Sequence, residues 1–249
     1  PYTNVEILRL NDDGTLGDRC DVEEIGVITI QGDHVTPGYR DSKHDEGLFH
    51  EGRLNSGDLG YKDAKGRLYV AGRSKDLIIR SGHNIDPAMI ENAMATHPAV
   101  ALAAAVGAPD AYAGELPVCF VELLPNMQID LEDLYHHARS NIDERPAWPK
   151  SIYVVDSIPL TTVGKIFKPS LRCKVIKRKV EDLFRNELKI TGVEVDVATG
   201  GPRGMWVTVS IPEGNHADRK TAESALKEFL FEAKVVVEEM PCLTSLAFN

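Results

Sequence analysis

The sequence predicts a mixed α+β fold, and three observations about the order of its apolar residues support this class. Residues 1–72 carry short strand-like apolar runs separated by turns rich in Gly and Asp. In residues 73–188 such runs alternate with segments in which apolar side chains recur at helical spacing. Residues 189–249 show two alternating runs, a helical segment and a last run. We therefore expect a β-rich partial barrel, then a small α+β domain, then a strand-strand-helix-strand extension.

The first segment is predicted to be β-rich from its runs and its turns. Residues 5–10 and 27–30 carry apolar side chains of the β type, with Gly- and Asp-containing turns between them. Residues 63–67 have the composition of a hairpin connection that leads into the apolar residues 68–70. We expect this segment to fold as part of a barrel.

The second segment is predicted to alternate strands and helices. Asp86 followed by Pro87 is typical of a helix N-terminus, since Asp can cap it and Pro at the first helical position loses no hydrogen bond. A second helix is expected after the cap residue Asp130, and a third from Pro169 to about Leu188. The first helix is expected to carry Ile90, Ala93, Met94 and His97. Strands are expected at residues 77–79, 100–106, 118–124 and 152–155.

The extension is predicted to begin with a hairpin, because Val residues alternate at 193–197 and again at 207–211 around a Gly-rich turn. Apolar residues from Ala222 to Ala233 then indicate a helix, and residues 235–237 a last strand. No chemical motif is recognisable in this part of the chain.

Composition excludes several functions. The net charge of −10 argues against general nucleic-acid binding, which depends on neutralising phosphates. No apolar run approaches the ~18 residues of a membrane-spanning helix. The four cysteines are far apart and none pairs with His at zinc-binding spacing, so neither a disulfide framework nor a metal site is expected. A reducing, cytoplasmic location fits best, and a homo-oligomer is left open.

The stretch from Lys165 to Lys179 departs from the acidic average, because it holds seven basic residues and no acidic one. A solvated helix face explains such a stretch. A landing site for a phosphorylated small molecule explains it as well.

Two polar clusters precede this stretch. Asp58 lies in a turn between Gly57 and Gly60, where its carboxylate could accept hydrogen bonds from a vicinal diol such as a ribose; an ordinary Asx-turn is the alternative. The second cluster begins with Gly72-Arg73-Ser74-Lys75-Asp76 and continues through Gly82 and His83. It indicates either a ligand-contacting junction or a domain linker with surface charge.

The third cluster places Lys165 in a Thr- and Gly-containing turn, within the sequence Thr161-Thr162-Val163-Gly164-Lys165. A Lys in such a turn can bring a flexible positive charge to phosphate or carboxylate oxygens. The spacing is not that of a Walker loop.

Taken in order, these clusters resemble the adenylate-forming superfamily: acyl-CoA synthetases, luciferase-type ligases and the adenylation domains of peptide synthetases. The resemblance covers about Val5 to Arg185. Further matching positions are Glu24-Ile25-Gly26, Pro37-Gly38-Tyr39, Ile90-Glu91, His97-Pro98-Ala99-Val100 and Gly114-Glu115. Ser81 to Pro87 and Phe167-Lys168-Pro169 look most like bacterial fatty-acyl-CoA synthetases.

The resemblance implies a ligase that joins a carboxylic or fatty acid to CoA with ATP, through an acyl-adenylate. Asp58 and Arg73 would then contact the ribose and phosphate of the nucleotide, and Lys75 would be the hinge of a mobile small domain. Lys165 would be the catalytic residue of adenylation. Gly82 would face the pantetheine path, with His83 beside it.

The same resemblance implies that the chain is the C-terminal part of a longer polypeptide. The phosphate loop, the acyl pocket and the ligands of a Mg²⁺ ion would belong to an N-terminal domain before Pro1, so this chain alone is expected to be inactive. Without that domain, residues 1–72 are expected to expose an apolar face. Two alternatives are an enzyme that loads a carrier protein, and a stand-alone, non-catalytic module that binds nucleotide or CoA.

Overall fold

The structure is a computed structural model that describes residues 2–11, 14–200, 204–212, 216–229 and 231–238. Within these ranges the chain forms three β-sheets and four α-helices in a mixed α+β arrangement. No helix among the described residues combines the length and apolar character that crossing a bilayer requires.

The first sheet contains six strands and corresponds to the β-rich segment predicted for residues 1–72. The sheet order is β2-β1-β3-β5-β4, with β6 paired to another part of β5, and the pairs are antiparallel. The partial-barrel prediction is confirmed. The strands are β1 (Asn4–Leu10), β2 (Leu16–Arg19), β3 (Gly26–Gln31), β4 (Phe49–His50), β5 (Arg53–Lys62) and β6 (Leu68–Arg73).

The structure of this sheet contains the predicted hairpin and exposes apolar side chains. The predicted hairpin joins β5 to β6, where Gly66 donates its N–H to the carbonyl of Asp63 at 2.8 Å. Leu68, Tyr69 and Val70 of β6 are exposed, Val70 by 68%. The first segment therefore exposes apolar side chains, as the sequence predicts.

A short 3-10 turn, Ser74–Asp76, leads from β6 into the second sheet. That sheet has five strands in the order β11-β10-β7-β8, with β9 paired to β10, and β10 and β11 run parallel. Its elements are β7 (Ile78–Arg80), β8 (His83–Ile85), α1 (Pro87–Ala95), β9 (Val100–Asp110), β10 (Gly114–Leu123), α2 (Leu131–Asn141), β11 (Ser151–Val155) and α3 (Lys168–Asp182).

Both predicted helix caps are confirmed. The Asp86 side chain accepts the N–H of Ala88, and the Asp130 side chain accepts that of Glu132. One detail was wrong, because His97 lies beyond the end of α1 at Ala95.

Helix α3 contributes to two hydrophobic cores. Leu171 and Val175 pack in a core with Val118 and Phe120 of the second sheet. The opposite side of the helix, through Ile176, Val180, Leu183 and Phe184, belongs to a core shared with the extension. The helix then continues as a π-helical turn, Leu183–Glu187, so the predicted end near Leu188 is confirmed.

The extension has the predicted order strand, strand, helix, strand. Its elements are β12 (Glu194–Thr199), β13 (Met205–Pro212), α4 (His216–Leu226) and β14 (Glu232–Glu238), and β13 lies between an antiparallel β12 and a parallel β14. The predicted helix was too long: Ala233 pairs with Val207 inside β14. Leu230, also predicted to be helical, lies outside the described residues.

Candidate functional site

Asp58 and Arg73 lie side by side on neighbouring strands. They face each other in the pairing of β5 with β6, and Arg73 Nε lies 3.2 Å from Asp58 Oδ1. The side chain of Asp58 is 38% exposed and that of Arg73 is 71% exposed. Among the described residues Arg73 contacts one carboxylate oxygen of Asp58, so the pair presents both a hydrogen-bond acceptor and a cation to an incoming ligand.

A kink within β5 orients Asp58. Gly57 has φ of +74°, a conformation that favours glycine, and it donates its N–H to Asn55 Oδ1 at 2.9 Å. Ser56 Oγ accepts the N–H of Asp58 at 3.1 Å and donates to the carbonyl of Ile28 at 2.8 Å. The predicted Asx-type hydrogen bond is present. The sequence predicted a polar turn here, whereas the segment lies inside the paired strand β5.

Lys75 lies in the 3-10 turn between the two sheets. Its side chain is exposed, whereas its carbonyl oxygen accepts a hydrogen bond from Arg172 Nη1 at 2.8 Å. The preceding Ser74 donates through Oγ to the carbonyl of Gly57 at 3.1 Å. The turn is thus tied to the Asp58 kink at one end and to α3 at the other.

Gly82 and His83 lie on an exposed hairpin between β7 and β8. Ser81 and Gly82 have φ of +50° and +80°, the pattern of a two-residue hairpin with a primed turn. The Ser81 N–H donates to Ala113 O at 2.8 Å, and Arg80 Nη1 donates to Pro146 O at 2.6 Å. These bonds attach the hairpin to the residue before β10 and to the 3-10 turn Arg145–Ala147, so its tip is held in a defined position.

Lys165 lies on a second exposed turn, between β11 and α3. Leu160 pairs with Ile166, Gly164 has φ of +80°, and the N–H of Lys165 donates to Thr161 Oγ1 at 3.1 Å. Within the described part of the chain, the ammonium group of Lys165 makes no hydrogen bond or ion pair. The backbone is therefore ordered by hydrogen bonds while the charged end is free to reach a ligand.

The predicted residues fall into three groups. Asp58 and Arg73 are in contact, and Lys75 follows them in the turn between the first and second sheets. Gly82 and His83 share one loop, and Lys165 occupies another. No hydrogen bond or ion pair among the described residues joins Lys165 to Asp58 or Arg73.

Two glutamates to which the sequence assigned no role attach α3 to the rest of the second segment. Glu91 Oε1 accepts the N–H of Ala105 at 2.8 Å and lies 2.9 Å from Lys168 Nζ. Glu115 Oε2 accepts the N–H of Ile79 at 3.0 Å, and its Oε1 lies 3.8 Å from Arg172 Nη2. Both glutamates were among the matching positions of the resemblance, but their pairing with α3 has no local sequence signal.

Several side chains of the basic stretch from Lys165 to Lys179 have partners within the chain. Lys168 and Arg172 are engaged in ion pairs, and the guanidinium of Arg178 lies 4.4 Å from the centre of the Tyr153 ring. Lys174 and Lys177 are exposed. The stretch is therefore not a uniformly solvated helix face, because several of its members have partners within the chain.

His136 and His137 do not form a metal site. His137 Nε2 lies 3.0 Å from the carbonyl of Ala93 and 2.9 Å from Thr96 Oγ1, and its ring contacts that of His97. The described residues contain no group of three or more His, Cys, Asp or Glu side chains able to hold a metal. His137 therefore joins α2 to α1.

Burial changes the ionisation of Glu115. Its pKa is raised because burial penalises the charged carboxylate, and the nearby Arg172 and the N–H of Ile79 offset part of that effect. The pKa of Asp86 is also raised, again mainly by burial.

Glu115→Gln is expected to alter the pH dependence of stability. A raised folded-state pKa adds stability that is fully present below the unfolded pKa and is lost as pH rises through the folded value. The wild-type unfolding free energy minus that of Glu115→Gln should therefore fall with increasing pH across this window. Urea unfolding at several pH values measures it, with the exposed Glu228→Gln as charge-matched control. A difference that rises with pH contradicts the prediction.

Comparison with known proteins identifies the class of this chain. Residues 89–165 match the family described as the AMP-binding enzyme C-terminal domain. The marinolic acid–CoA ligase of Pseudoalteromonas sp. is 46% identical over 211 residues, which cover 84% of this chain and 32% of that protein. The long-chain-fatty-acid–CoA ligase of Bacillus subtilis is 35% identical over 160 residues, covering 64% of this chain and 28% of that protein.

Solved structures agree with the sequence matches. The ATP-bound MatB of Rhodopseudomonas palustris matches with a TM-score of 0.64 and 28% identity, covering 74% of this chain and 35% of MatB. The o-succinylbenzoate CoA synthetase of Bacillus subtilis, in complex with its acyl-adenylate intermediate, matches with a TM-score of 0.59 and 31% identity. The match covers 69% of this chain and 34% of the synthetase.

The chain therefore carries the AMP-binding enzyme C-terminal domain, at residues 89–165. It matches the C-terminal portion of CoA ligases, as the sequence resemblance predicted, and it spans about a third of the length of the relatives named above. Because the match to the marinolic acid–CoA ligase covers 84% of the chain, it includes part of the extension that starts at residue 189.

Proposed function

We propose that this chain is the C-terminal part of an ATP-dependent acyl-CoA ligase. Such a ligase converts a carboxylic acid, ATP and CoA into acyl-CoA, AMP and pyrophosphate through an acyl-adenylate. One observation carries the proposal: a single small domain bears both the Lys165 turn and the Gly82 hairpin, and the Lys75 turn joins it to the Asp58–Arg73 pair.

The proposed division of the chain follows from this arrangement. Residues 1–72 are the last part of a large nucleotide-binding domain, residues 73–188 the mobile small domain, and residues 189–249 an extension. The chain works with an N-terminal domain of the same polypeptide in the cytoplasm. That domain holds the acyl pocket and the ligands of Mg²⁺.

Asp58 and Arg73 are the proposed nucleotide contacts. A half-exposed carboxylate can accept hydrogen bonds from both hydroxyls of a ribose, and the adjacent guanidinium can donate to an oxygen of the ribose or phosphate. The kink at Gly57 holds the carboxylate in place before the ligand arrives, so less conformational freedom is lost on binding.

Lys165 is the proposed catalytic residue of adenylation. Negative charge develops around the α-phosphate as the substrate carboxylate attacks it, and an ammonium group aimed at this charge stabilises the transition state. The hydrogen-bonded turn fixes the Lys165 backbone, and its exposed side chain is long enough to reach out from the domain surface.

Gly82 and His83 are the proposed contacts of the thiol substrate. The absence of a side chain at Gly82 keeps the passage for pantetheine open, and His83 stands beside it on the same hairpin. Rotation about Lys75 would bring either this hairpin or the Lys165 turn to the nucleotide. One domain could thereby serve two half-reactions in sequence.

Gly82→Ala is expected to slow thioester formation from added acyl-adenylate, without slowing adenylation, in the intact ligase. A Cβ at Gly82 meets no described atom within 4 Å, so the methyl group obstructs only what enters from outside. The substitution also strains a residue with φ of +80°. Stopped-flow measurement of each half-reaction shows whether thioester formation slows while adenylation does not.

Gly66→Ala is the matched control for this strain. Gly66 also lies in a hairpin, with φ of +75° and open space around its Cβ position. It should show the same small loss of stability with both half-reactions unchanged. Equal behaviour of the two variants would contradict the role proposed for Gly82.

A further inference from the structure

Arg172 makes a contact that the proposed reaction does not yet explain. From the second turn of α3 its Nη1 donates to the carbonyl oxygen of Lys75 at 2.8 Å, while its Nη2 lies 3.8 Å from Glu115 Oε1. The side chains of Arg172 and Glu115 are each 21% exposed, so water screens this contact only in part. A guanidinium thus holds the backbone of the residue expected to be the hinge.

The partners of Arg172 belong to the small domain except at the hinge itself. Glu115 lies on β10, and its other carboxylate oxygen accepts the N–H of Ile79 on β7. Arg172 is therefore fixed to the body of the small domain. Its bond to Lys75 joins that body to the peptide group at which the chain leaves for the first sheet.

Rotation of the small domain changes the backbone dihedral angles at the hinge, and this turns the Lys75 carbonyl relative to α3. A hydrogen bond depends strongly on both the distance and the direction of its acceptor. The bond from Arg172 therefore favours one orientation of the hinge and is weakened or lost in others. The free energy of this hydrogen bond therefore contributes to the difference in free energy between the domain arrangements.

We propose that Arg172 is a positioning residue that acts as a latch on the Lys75 hinge. It stabilises the arrangement seen in this structure and so sets the relative populations of the arrangements that the two half-reactions use. The effect on the half-reactions rests on the proposed ligase function, whereas the stabilisation of the hinge concerns the chain itself. Because the Lys165 turn directly precedes the start of α3 and Arg172 lies in its second turn, one helix holds both the hinge and the catalytic turn.

The latch is tested first on this chain by hydrogen–deuterium exchange. Removal of a hydrogen bond to a charged group is expected to accelerate exchange of the linker amides, residues 74–79, by roughly tenfold in Arg172→Gln. Exchange in β10 should remain unchanged, since a general loss of stability would accelerate it as well. Arg178→Gln, on the same helix and with the same charge change, should leave the linker at wild-type rates.

The consequence for catalysis is tested in the intact ligase. Arg172→Gln should change the ratio of the adenylation and thioester-forming rates by roughly tenfold, because the arrangement that the latch favours becomes less populated. Arg178→Gln should leave this ratio unchanged. Arg172→Lys keeps a cation but has a different geometry, and it should restore part of the wild-type ratio.

Two results would overturn the proposal: linker exchange that is equal in Arg172→Gln and Arg178→Gln, or an unchanged ratio of half-reactions despite faster exchange. If Arg172→Gln does not fold, Arg172→Lys provides the same two readouts against Arg178→Lys. The ligase function is tested separately through Lys165. Its failure would leave the exchange result, and therefore the latch on the linker, standing.

Discussion

Replacing Lys165 by alanine in the intact ligase is expected to slow acyl-adenylate formation by roughly 10²–10³ and to leave thioester formation from added acyl-adenylate unchanged. The reason lies in the exposed turn that carries Lys165: its backbone is held by Thr161, whereas its ammonium group has no partner among the described residues. In the proposed mechanism the charge is available for the adenylation transition state and lies away from the thioester-forming one after the proposed domain rotation. Pyrophosphate release and single-turnover transfer to CoA measure the two steps.

Lys174→Ala is the control for this substitution. Lys174 is an exposed lysine on α3, so its removal changes the net charge equally and leaves the Lys165 turn intact. Both half-reactions should keep wild-type rates. Equal loss of both half-reactions in Lys165→Ala would show that the lysine supports the structure or both steps, which contradicts the proposed role.

The sequence predicted those elements whose signals are local. Asp86-Pro87 and Asp130 mark helix starts because a cap and a first-turn proline act within three residues of one another. The apolar runs of β9 and β10 were predicted for a similar reason, since strands buried on both faces need apolar side chains throughout. The Lys165 turn could be placed because its Thr and Gly residues specify a turn without any distant partner.

Elements that depend on distant pairing were predicted less well. Asn55 and Ser56 have turn-forming side chains, yet they lie in β5 because β3 supplies the partner strand across the sheet. The apolar residues after Leu226 continue a helical pattern, but pairing of β14 with β13 takes Ala233 into a strand. In both cases a non-local ladder of hydrogen bonds outweighed the local preference.

In the candidate site, too, residues with local sequence signals could be predicted and distant contacts could not. Asp58, Arg73 and Lys165 could be named from residue chemistry and from the order of the clusters. The contacts that position them could not, because Glu115 and Arg172 are far apart in sequence and both belong to a chain rich in charged residues. Only the fold selects these two from the many pairs that the composition allows.

Phe184→Ala is expected to lower the free energy of unfolding by about 3–5 kcal/mol, the usual cost of removing a fully buried aromatic side chain. Phe184 is 1% exposed and packs in the core that α3 shares with the extension. Phe167→Ala serves as control, because Phe167 is 43% exposed at the start of the same helix and should cost much less. Urea denaturation of the two variants measures the difference.

The region that Phe184→Ala destabilises shows whether the small domain and the extension unfold together. Because Leu171 and Val175 attach α3 to the second sheet, a defect at Phe184 should destabilise the small domain and the extension together. The two tryptophans report on the two regions: Trp148 packs against the core of the second sheet, and Trp206 lies on β13 of the extension. In single-tryptophan variants, Phe184→Ala should shift both unfolding midpoints equally. A shift at Trp206 alone would mean that the extension unfolds independently, and it could then not be carried as one body with the small domain when that domain rotates.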